Sequence, residues 1–152
     1  MTAAALRFVV PWSALCSDNR KYVNGRFVLT PAYRASKDAI ARYANTAATR
    51  HKWAMPTGAV ALRVTVCEPD RRKRDLNWSK NLKDGISFAG NVWWDDCQVR
   101  DEHWRFEARD AAATWLDNAN EGGALVEIWM LDAAPVTPKR RRKSVALSSS
   151  AP

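Results

Sequence analysis

The sequence predicts an α+β fold with a mixed β-sheet flanked by two main helices. Apolar residues alternate with other residues at positions 59–66, which is the period of a strand that buries one face. Two other stretches repeat apolar residues every three or four positions, which is the period of amphipathic helices. Because strand and helix patterns follow each other without a regular β-α-β alternation, the sheet is predicted to be mixed.

The first half of the chain predicts two short strands, at residues 6–10 and 26–29, and then a long helix. Thr30 and Pro31 are typical of the N-cap and first position of a helix. The alanine-rich stretch that follows extends this helix to about residue 53. Its predicted apolar face comprises Tyr33, Ile40, Tyr43, Ala44 and Ala47.

The second half predicts another helix from Asp75 to about residue 88, then strands at residues 98–108 and 124–131. A helical turn is predicted between those strands, at residues 110–116. The apolar stripe of the second helix comprises Trp78, Leu82, Ile86 and Ala89.

The domain is predicted to span residues 1–132, and residues 133–152 to form a disordered basic tail. Pro, Ser, Lys and Arg dominate that tail, and a chain so poor in apolar residues cannot form a core. The 152 residues are enough for one domain with a sizeable core.

The positive charge is concentrated in two runs, at residues 71–74 and 139–143. They carry +4 and +5, so removing their nine charges from the net +8 leaves −1 on all other residues. Local basic patches favour a polyanionic partner, although a Lys/Arg run can also be only a solubilising surface. The three cysteines are far apart and odd in number, which argues against a zinc site or disulfide framework and favours a cytoplasmic protein.

The chemistry of the chain is concentrated between residues 69 and 99. The basic run lies directly against Asp75, and Asp95 and Asp96 follow about twenty residues later. Basic side chains bind phosphate, and clustered carboxylates bind hard cations such as Mg²⁺. Together they predict metal-assisted hydrolysis of a nucleic-acid backbone.

Residues 69–99 resemble the core pattern of the RusA family of Holliday-junction resolvases, approximately P-D-R-R-x-R-D-x-D-N-x-x-K-x-x-x-D-x-L followed by D-D-x-Q-V. The match comprises the Pro-Asp-Arg-Arg-Lys-Arg-Asp-Leu run at residues 69–76, Asn77, Lys80 and Asp84 at the family spacing, and Asp-Asp-Cys-Gln-Val at residues 95–99. Looser similarity extends over about residues 5–131.

The resemblance implies a homodimeric endonuclease that resolves four-way DNA junctions with Mg²⁺ or Mn²⁺, without a membrane or a small-molecule cofactor. It implies Asp75, Asp96 and Lys80 as catalytic residues. The implied metal ligands are Asp75, Asp96, Asp95 and Asn77. The implied DNA-binding residues are Arg71, Arg72, Lys73, Arg74 and Lys80.

One position departs from the family pattern, because D-x-D-N is replaced by Asp75, Leu76, Asn77 and Trp78. Either Asn77 replaces the second aspartate, or that aspartate is deleted and Asn77 is the family's asparagine. The deletion is preferred, since it alone aligns Lys80 and Asp84, and it implies a compensating insertion near residue 91. Asp70 or Asp84 could substitute for the missing carboxylate.

The missing carboxylate keeps an alternative function open, namely a weakened or inactive junction-binding protein on the same scaffold. A basic structural or RNA-binding domain without a metal site is a third possibility. Individual residues also have structural alternatives. Asp75 could stabilise a helix N-terminus, Asp95 and Asp96 could form a turn, and Lys80 could be solvated. Trp93 or Trp94 could face DNA. The residues expected in the core or at an interface are Trp12, Trp53, Trp115, Trp129 and Cys97.

Overall fold

The computed structural model describes residues 5–17, 22–23, 26–70 and 77–131. Its strands are β1 (Leu6–Pro11), β2 (Tyr22–Val23), β3 (Arg26–Phe27), β4 (Val60–Cys67), β5 (Val99–Phe106) and β6 (Gly123–Met130). Its helices are α1 (Pro31–Arg50), α2 (Ser79–Ala89) and the short α3 (Arg109–Ala112). The predicted tail at residues 133–152 and the basic run at residues 71–74 lie outside the described residues.

The main sheet has the strand order β1-β6-β4-β5. β6 pairs antiparallel with both β1 and β4, whereas β4 and β5 are parallel and are connected through α2. The sheet is therefore mixed, and the predicted α+β class is confirmed. β2 and β3 form a separate antiparallel pair.

Both main helices pack on the same face of the sheet. One core cluster joins the inward side chains of β1, β4 and β6 to the apolar sides of α1 and α2. A smaller cluster contains Cys67, Ala112 and Leu116, and Val9 packs against it. The neighbours of Val9 in β1, Phe8 and Val10, belong to the main core. Because side chains alternate along a strand, the smaller cluster covers part of the opposite face of the sheet. None of the helices in the described ranges combines the length and apolarity needed to cross a bilayer.

The predicted boundaries of α1 and the strand pattern of β4 are largely confirmed. Thr30 caps α1 by accepting a hydrogen bond from the backbone N–H of Tyr33 (3.3 Å), and Pro31 is its first residue. One detail was wrong, because Tyr43 is 42% exposed rather than part of the apolar face. Thr65, on the face of β4 opposite the main core, is also fully buried.

The start of α2 is fixed by tryptophan packing. The Trp78 ring lies edge-on to Trp12 and Trp104, with centroid distances of 5.7 and 5.5 Å, and is 4% exposed. α2 begins directly after it, at Ser79, rather than at Asp75 as predicted. Buried Asn81 accepts hydrogen bonds from the Cys16 backbone N–H (3.2 Å) and the Ser36 hydroxyl (2.8 Å), which fixes α2 against α1.

The closest approach of α1 and α2 requires Gly85. A Cβ atom at this position would lie 2.6 Å from Cβ and 2.7 Å from Cγ2 of Ile40. We expect Gly85→Ala to lower the free energy of unfolding by about 1–2 kcal/mol, because overpacking outweighs the gain in helix propensity. Urea unfolding would measure this loss.

The Ile40→Ala background provides the control, since it removes Cγ2 and Cδ1 of Ile40. Gly85→Ala should cost less there than in the natural sequence. An equal cost in both backgrounds would mean that contact with Cγ2 and Cδ1 of Ile40 is not the cause.

Candidate active site

An open cleft of about 340 Å³ lies where α1, α2 and the loop before β5 meet. It brings together several side chains that are distant in sequence. We call it the acidic cleft, and its charged lining residues are Lys37, Lys80, Asp84, Asp95 and Asp96. The predicted site residues Lys80, Asp95 and Asp96 therefore share one cavity.

The α2 side of the acidic cleft is an ordered network of charge and hydrogen bonds. Lys80 and Asp84 are one helical turn apart, and their Nζ and Oδ1 atoms are 3.5 Å apart. The phenol of Tyr33, on α1, donates a hydrogen bond to Oδ2 of Asp84 (2.9 Å). Asp84 thus links Lys80 to α1, and the exposed Lys80 ammonium remains accessible to a phosphate in the cleft.

The loop side presents two consecutive carboxylates on a tight turn. Asp95 caps the short 3-10 turn Asp96–Gln98 by accepting a hydrogen bond from the Cys97 backbone N–H (2.9 Å). A helix-type turn capped by a short carboxylate is a stable local arrangement. Asp95 therefore has a structural role in this turn, and it also lines the acidic cleft.

Buried groups behind this turn hold it in place. Gln98 is fully buried, and its amide nitrogen donates to the carbonyl oxygens of Pro56 and Gly58 (both 2.8 Å). Its amide oxygen accepts from the Trp94 backbone N–H (2.9 Å). Because a buried amide that loses its partners carries a desolvation cost, Gln98 fixes the path of the chain on both sides of Asp95 and Asp96.

The two tryptophans before the acidic pair have different environments. Trp93 is fully buried, and its indole N–H donates to the Ser87 hydroxyl (2.7 Å), so it belongs to the core and cannot face DNA. Trp94 is partly buried and lines the acidic cleft. Of the two candidates for a DNA-facing aromatic residue, only Trp94 retains that possibility.

Burial and neighbouring carboxylates both disfavour the charged form of Asp96 in the acidic cleft. The pKa of Asp96 is raised, first because partial burial removes its carboxyl group from water and next because of its hydrogen bond with Asp95. The charges of Asp95 and Asp84 raise it further, whereas Lys80 lowers it. A cation at this position would relieve the repulsion among these carboxylates.

Other predicted residues lie elsewhere or outside the described residues. Asp75 and the basic residues Arg71, Arg72, Lys73 and Arg74 are in the segment that is not described. Asn77 is exposed, and it is not among the residues that line the acidic cleft. Of the two possible substitutes for the missing carboxylate, Asp84 lines the acidic cleft, whereas Asp70 lines a different cavity with Glu68 and Arg109.

The acidic cleft suits a hard cation in its donor chemistry but is incomplete among the described residues. Carboxylate oxygens are the ligands that Mg²⁺ prefers. Within residues 5–17, 22–23, 26–70 and 77–131, no three His, Cys, Asp or Glu side chains are arranged to hold a metal ion. A complete shell would need further oxygen atoms from the undescribed segment, from water or from a bound phosphate.

A mixed α+β domain with carboxylates and a lysine in one open cleft is suited to phosphoryl transfer assisted by a hard cation. Comparison with known proteins agrees with this class. The family model described as endodeoxyribonuclease RusA matches residues 11–119. The chain therefore belongs to the RusA family of endodeoxyribonucleases, and the resemblance inferred from the sequence is confirmed.

Curated relatives support the same assignment. The crossover junction endodeoxyribonuclease RusA of Escherichia coli K12 is 38% identical over 95 residues, which cover 60% of this chain and 74% of the relative. The proteins of Shigella sonnei and Enterobacteria phage 82 that carry this name are each 37% identical over the same shares.

Sequence reasoning missed three residues that organise the site. Gln98 is visible in the sequence only as part of the D-D-x-Q-V match, and its burial depends on contacts with residues about forty positions away. The periodicity places Tyr33 on the apolar face of α1, which is correct for its ring but omits its hydroxyl contact with Asp84. Lys37 gives no signal, because a single lysine on a helix is usually solvated.

Proposed function

We propose that the chain is a Mg²⁺-dependent, structure-selective endonuclease that cuts four-way DNA junctions in recombination and repair. The observation that carries the proposal is the convergence of Lys80, Asp95 and Asp96 in one cleft of a RusA-family domain. The names of its curated relatives as crossover junction endodeoxyribonucleases support the choice of substrate. Such an enzyme would act in the cytoplasm of a bacterial or phage-infected cell.

The residues of the acidic cleft divide into ion ligands and a phosphate contact. Asp96 and Asp75 would be the principal ligands of Mg²⁺, with Asp95 as the next donor and the neutral oxygen of Asn77 as a weaker one. When bound, the ion would polarise the phosphodiester and promote ionisation of a water molecule. Mn²⁺ has the same preference for oxygen donors and could replace Mg²⁺.

Lys80 would offset negative charge that develops on the phosphate during attack. Its distance of 3.5 Å from Asp84, which Tyr33 holds in turn, restricts where the ammonium group can lie. Preorganised charge of this kind needs no rearrangement at the moment of reaction. The basic residues 71–74 would hold backbone phosphates and so position the strand without reading its sequence.

We further propose a homodimer. A four-way junction has approximate twofold symmetry, and a twofold dimer presents two equivalent clefts to its two symmetric strands. The basic residues 139–143 would add salt-sensitive, non-specific attraction to DNA.

A second candidate is a weakened or inactive junction-binding protein on the same scaffold. The exposed position of Asn77, outside the lining of the acidic cleft, favours it. Two carboxylates and a phosphate can still hold Mg²⁺, but with less negative charge they would acidify bound water less.

Cleavage of a synthetic four-way junction, with and without Mg²⁺, tests the proposal. We expect Mg²⁺-dependent symmetric cleavage that disappears in Asp75→Asn. Junction binding without cleavage would favour the second candidate. Binding that is no stronger to the junction than to a linear duplex would contradict both.

Cys97 offers a test of ion binding that does not depend on cleavage. Its pKa is raised, first by desolvation and next by the charge of Asp95, with a smaller contribution from Asp96. An ion bound by these carboxylates should lower that pKa and increase the thiolate fraction below it. We expect Mg²⁺ to accelerate alkylation of Cys97 by neutral iodoacetamide at pH 8 by about threefold or more.

Peptide mass spectrometry would resolve the individual cysteines. Cys67 is the internal control, since the charged groups that shift its pKa, Arg109, Glu107 and Glu68, do not line the acidic cleft. The Mg²⁺ effect on Cys97 should also shrink in Asp96→Asn. If the alkylation rate of Cys97 is unchanged at a Mg²⁺ concentration that supports cleavage, the ion binds away from Asp95 and Asp96.

A further inference from the structure

Phe88 is an exposed aromatic residue at the edge of the acidic cleft. It lies near the end of α2, and 58% of its surface is exposed, the largest value for a large hydrophobic residue in the described part of the chain. Such exposure of a phenylalanine next to a charged cleft is not explained by packing of the core. Singly exposed apolar side chains are common, so exposure alone does not identify a ligand for Phe88.

The surroundings of Phe88 indicate which ligand would fit it. Phe88 lines the acidic cleft on one side and, on the other, a groove of about 470 Å³ along α1 that includes Arg42 and Asn45. The ring therefore forms a ridge between two polar cavities. A nucleic-acid strand alternates flat apolar bases with charged phosphates, which matches a flat ring between polar grooves.

Positive charge is placed beside the ring on α1. The Lys37 ammonium lies 4.8 Å from the centroid of Phe88 and also lines the acidic cleft. Arg42 lines the α1 groove, together with Asp38 as the opposing charge. A cation that is already held over the ring could contact a phosphate next to a base that stacks on the free part of the ring.

We propose that Phe88 is a stacking platform for a nucleobase next to the cleaved phosphate, with Lys37 as the contact to the adjoining backbone. This inference rests on the proposed function, because it takes the acidic cleft as the place of cleavage. The base best suited to the platform lies at the branch point of a junction. There, leaving the helical stack costs less than it does within a continuous duplex.

The test compares Phe88→Ala with Phe106→Ala, which removes a second phenylalanine of similar exposure (55%) that lies away from the acidic cleft. Both variants are assayed in EDTA for binding to a four-way junction and to a linear duplex of equal length. The junction carries 2-aminopurine at its branch point, whose fluorescence reports base unstacking. Phe88→Trp is the conservative variant.

We expect Phe88→Ala to weaken junction binding about tenfold and to reduce the fluorescence change, with little effect on the duplex. Phe88→Trp should retain both signals, and Phe106→Ala should behave as the natural chain. Equal behaviour of the two alanine variants would overturn the inference while leaving the proposed function intact. A natural chain that does not prefer the junction would overturn both.

An interface role for Phe88 is distinguished by sedimentation in the absence of DNA. If Phe88→Ala changes the oligomeric state but leaves junction affinity per assembled protein unaltered, the ring is a protein contact and the inference is wrong. Lys37→Gln adds a separate check, since loss of its phosphate contact should reduce the salt dependence of junction binding.

Discussion

Replacement of Asp96 by asparagine is expected to lower the rate of junction cleavage about a thousandfold while retaining junction binding. Such a loss corresponds to several kcal/mol of transition-state stabilisation, the scale on which a metal ion contributes to phosphoryl transfer. The substitution would remove a proposed anionic ligand, and it should preserve the turn Asp96–Gln98 because Asp95 supplies its cap. Single-turnover cleavage, with binding measured in EDTA, separates the two effects.

The same variant should be more stable than the natural chain at neutral pH. The pKa of Asp96 is raised mainly by desolvation, so the folded state disfavours its charged form. As pH rises above the ordinary carboxyl pKa of about 3.9, the folded state retains this proton longer than the unfolded state does. The stability that protonated Asp96 confers is therefore lost as the pH rises from the unfolded-state pKa through the higher folded-state pKa, and it is absent at neutral pH. The asparagine side chain does not ionise, so thermal unfolding between pH 4 and 7 should show a growing advantage for Asp96→Asn.

Asp101→Asn is the matched control. Asp101 is exposed on β5, and its Oδ1 atom lies 3.2 Å from Nε2 of His103, away from the acidic cleft. Its loss should leave cleavage unchanged and should not produce the same gain in stability. If Asp96→Asn cleaves at the natural rate, Asp96 is not an essential ligand. If Asp96→Asn unfolds more easily than the natural chain at neutral pH, the ionised carboxylate of Asp96 does not destabilise the folded state.

Local periodicity was sufficient to predict the elements that form the core. The alternation in β4 and the stripe of Leu82 and Ile86 on α2 depend on burial of one face, and all of these residues lie in the main core cluster. The cap of α1 was equally predictable, because Thr30 and Pro31 act within one turn of the helix. A turn at Asp95 and Asp96 was predicted only as the structural alternative to a metal site, and the structure shows that turn directly before β5.

Long-range contacts determined what the sequence could not predict. Gln98 is polar, yet it is fully buried because three backbone groups satisfy its amide. Trp93 and Trp94 are adjacent and chemically identical, but only the first enters the core. Tyr43 fits the apolar spacing of α1, yet its side chain is exposed to solvent. In each case the outcome depends on which surfaces meet in the folded chain, and a local pattern does not contain that information.

Residues that line the acidic cleft also hold the local fold in place. Asp95 caps a turn, and Asp84 joins Lys80 to Tyr33, whereas Asp96 is held near other carboxylates at a cost to the folded state. Burial first, and neighbouring carboxylates after it, raise the pKa of Asp96, and an acid perturbed in this way is typical of functional sites.

An aspartate inserted between Leu76 and Asn77 is expected to increase cleavage by about ten- to a hundredfold, a larger change than Asn77→Asp should produce. The added carboxylate would strengthen Mg²⁺ binding and the acidity of bound water. Trp78, packed between Trp12 and Trp104, fixes the start of α2. Residues inserted before it should therefore leave Lys80 and Asp84 in register.

The dependence of single-turnover cleavage on Mg²⁺ concentration measures this effect, and half-maximal cleavage should require less Mg²⁺ in the aspartate-insertion variant. An alanine inserted at the same position is the control, since it adds length without charge. If both insertions increase cleavage equally, spacing rather than charge limits the natural chain. A larger gain from Asn77→Asp would instead show that Asn77 occupies the position of the second aspartate, and the alignment without a gap would be correct.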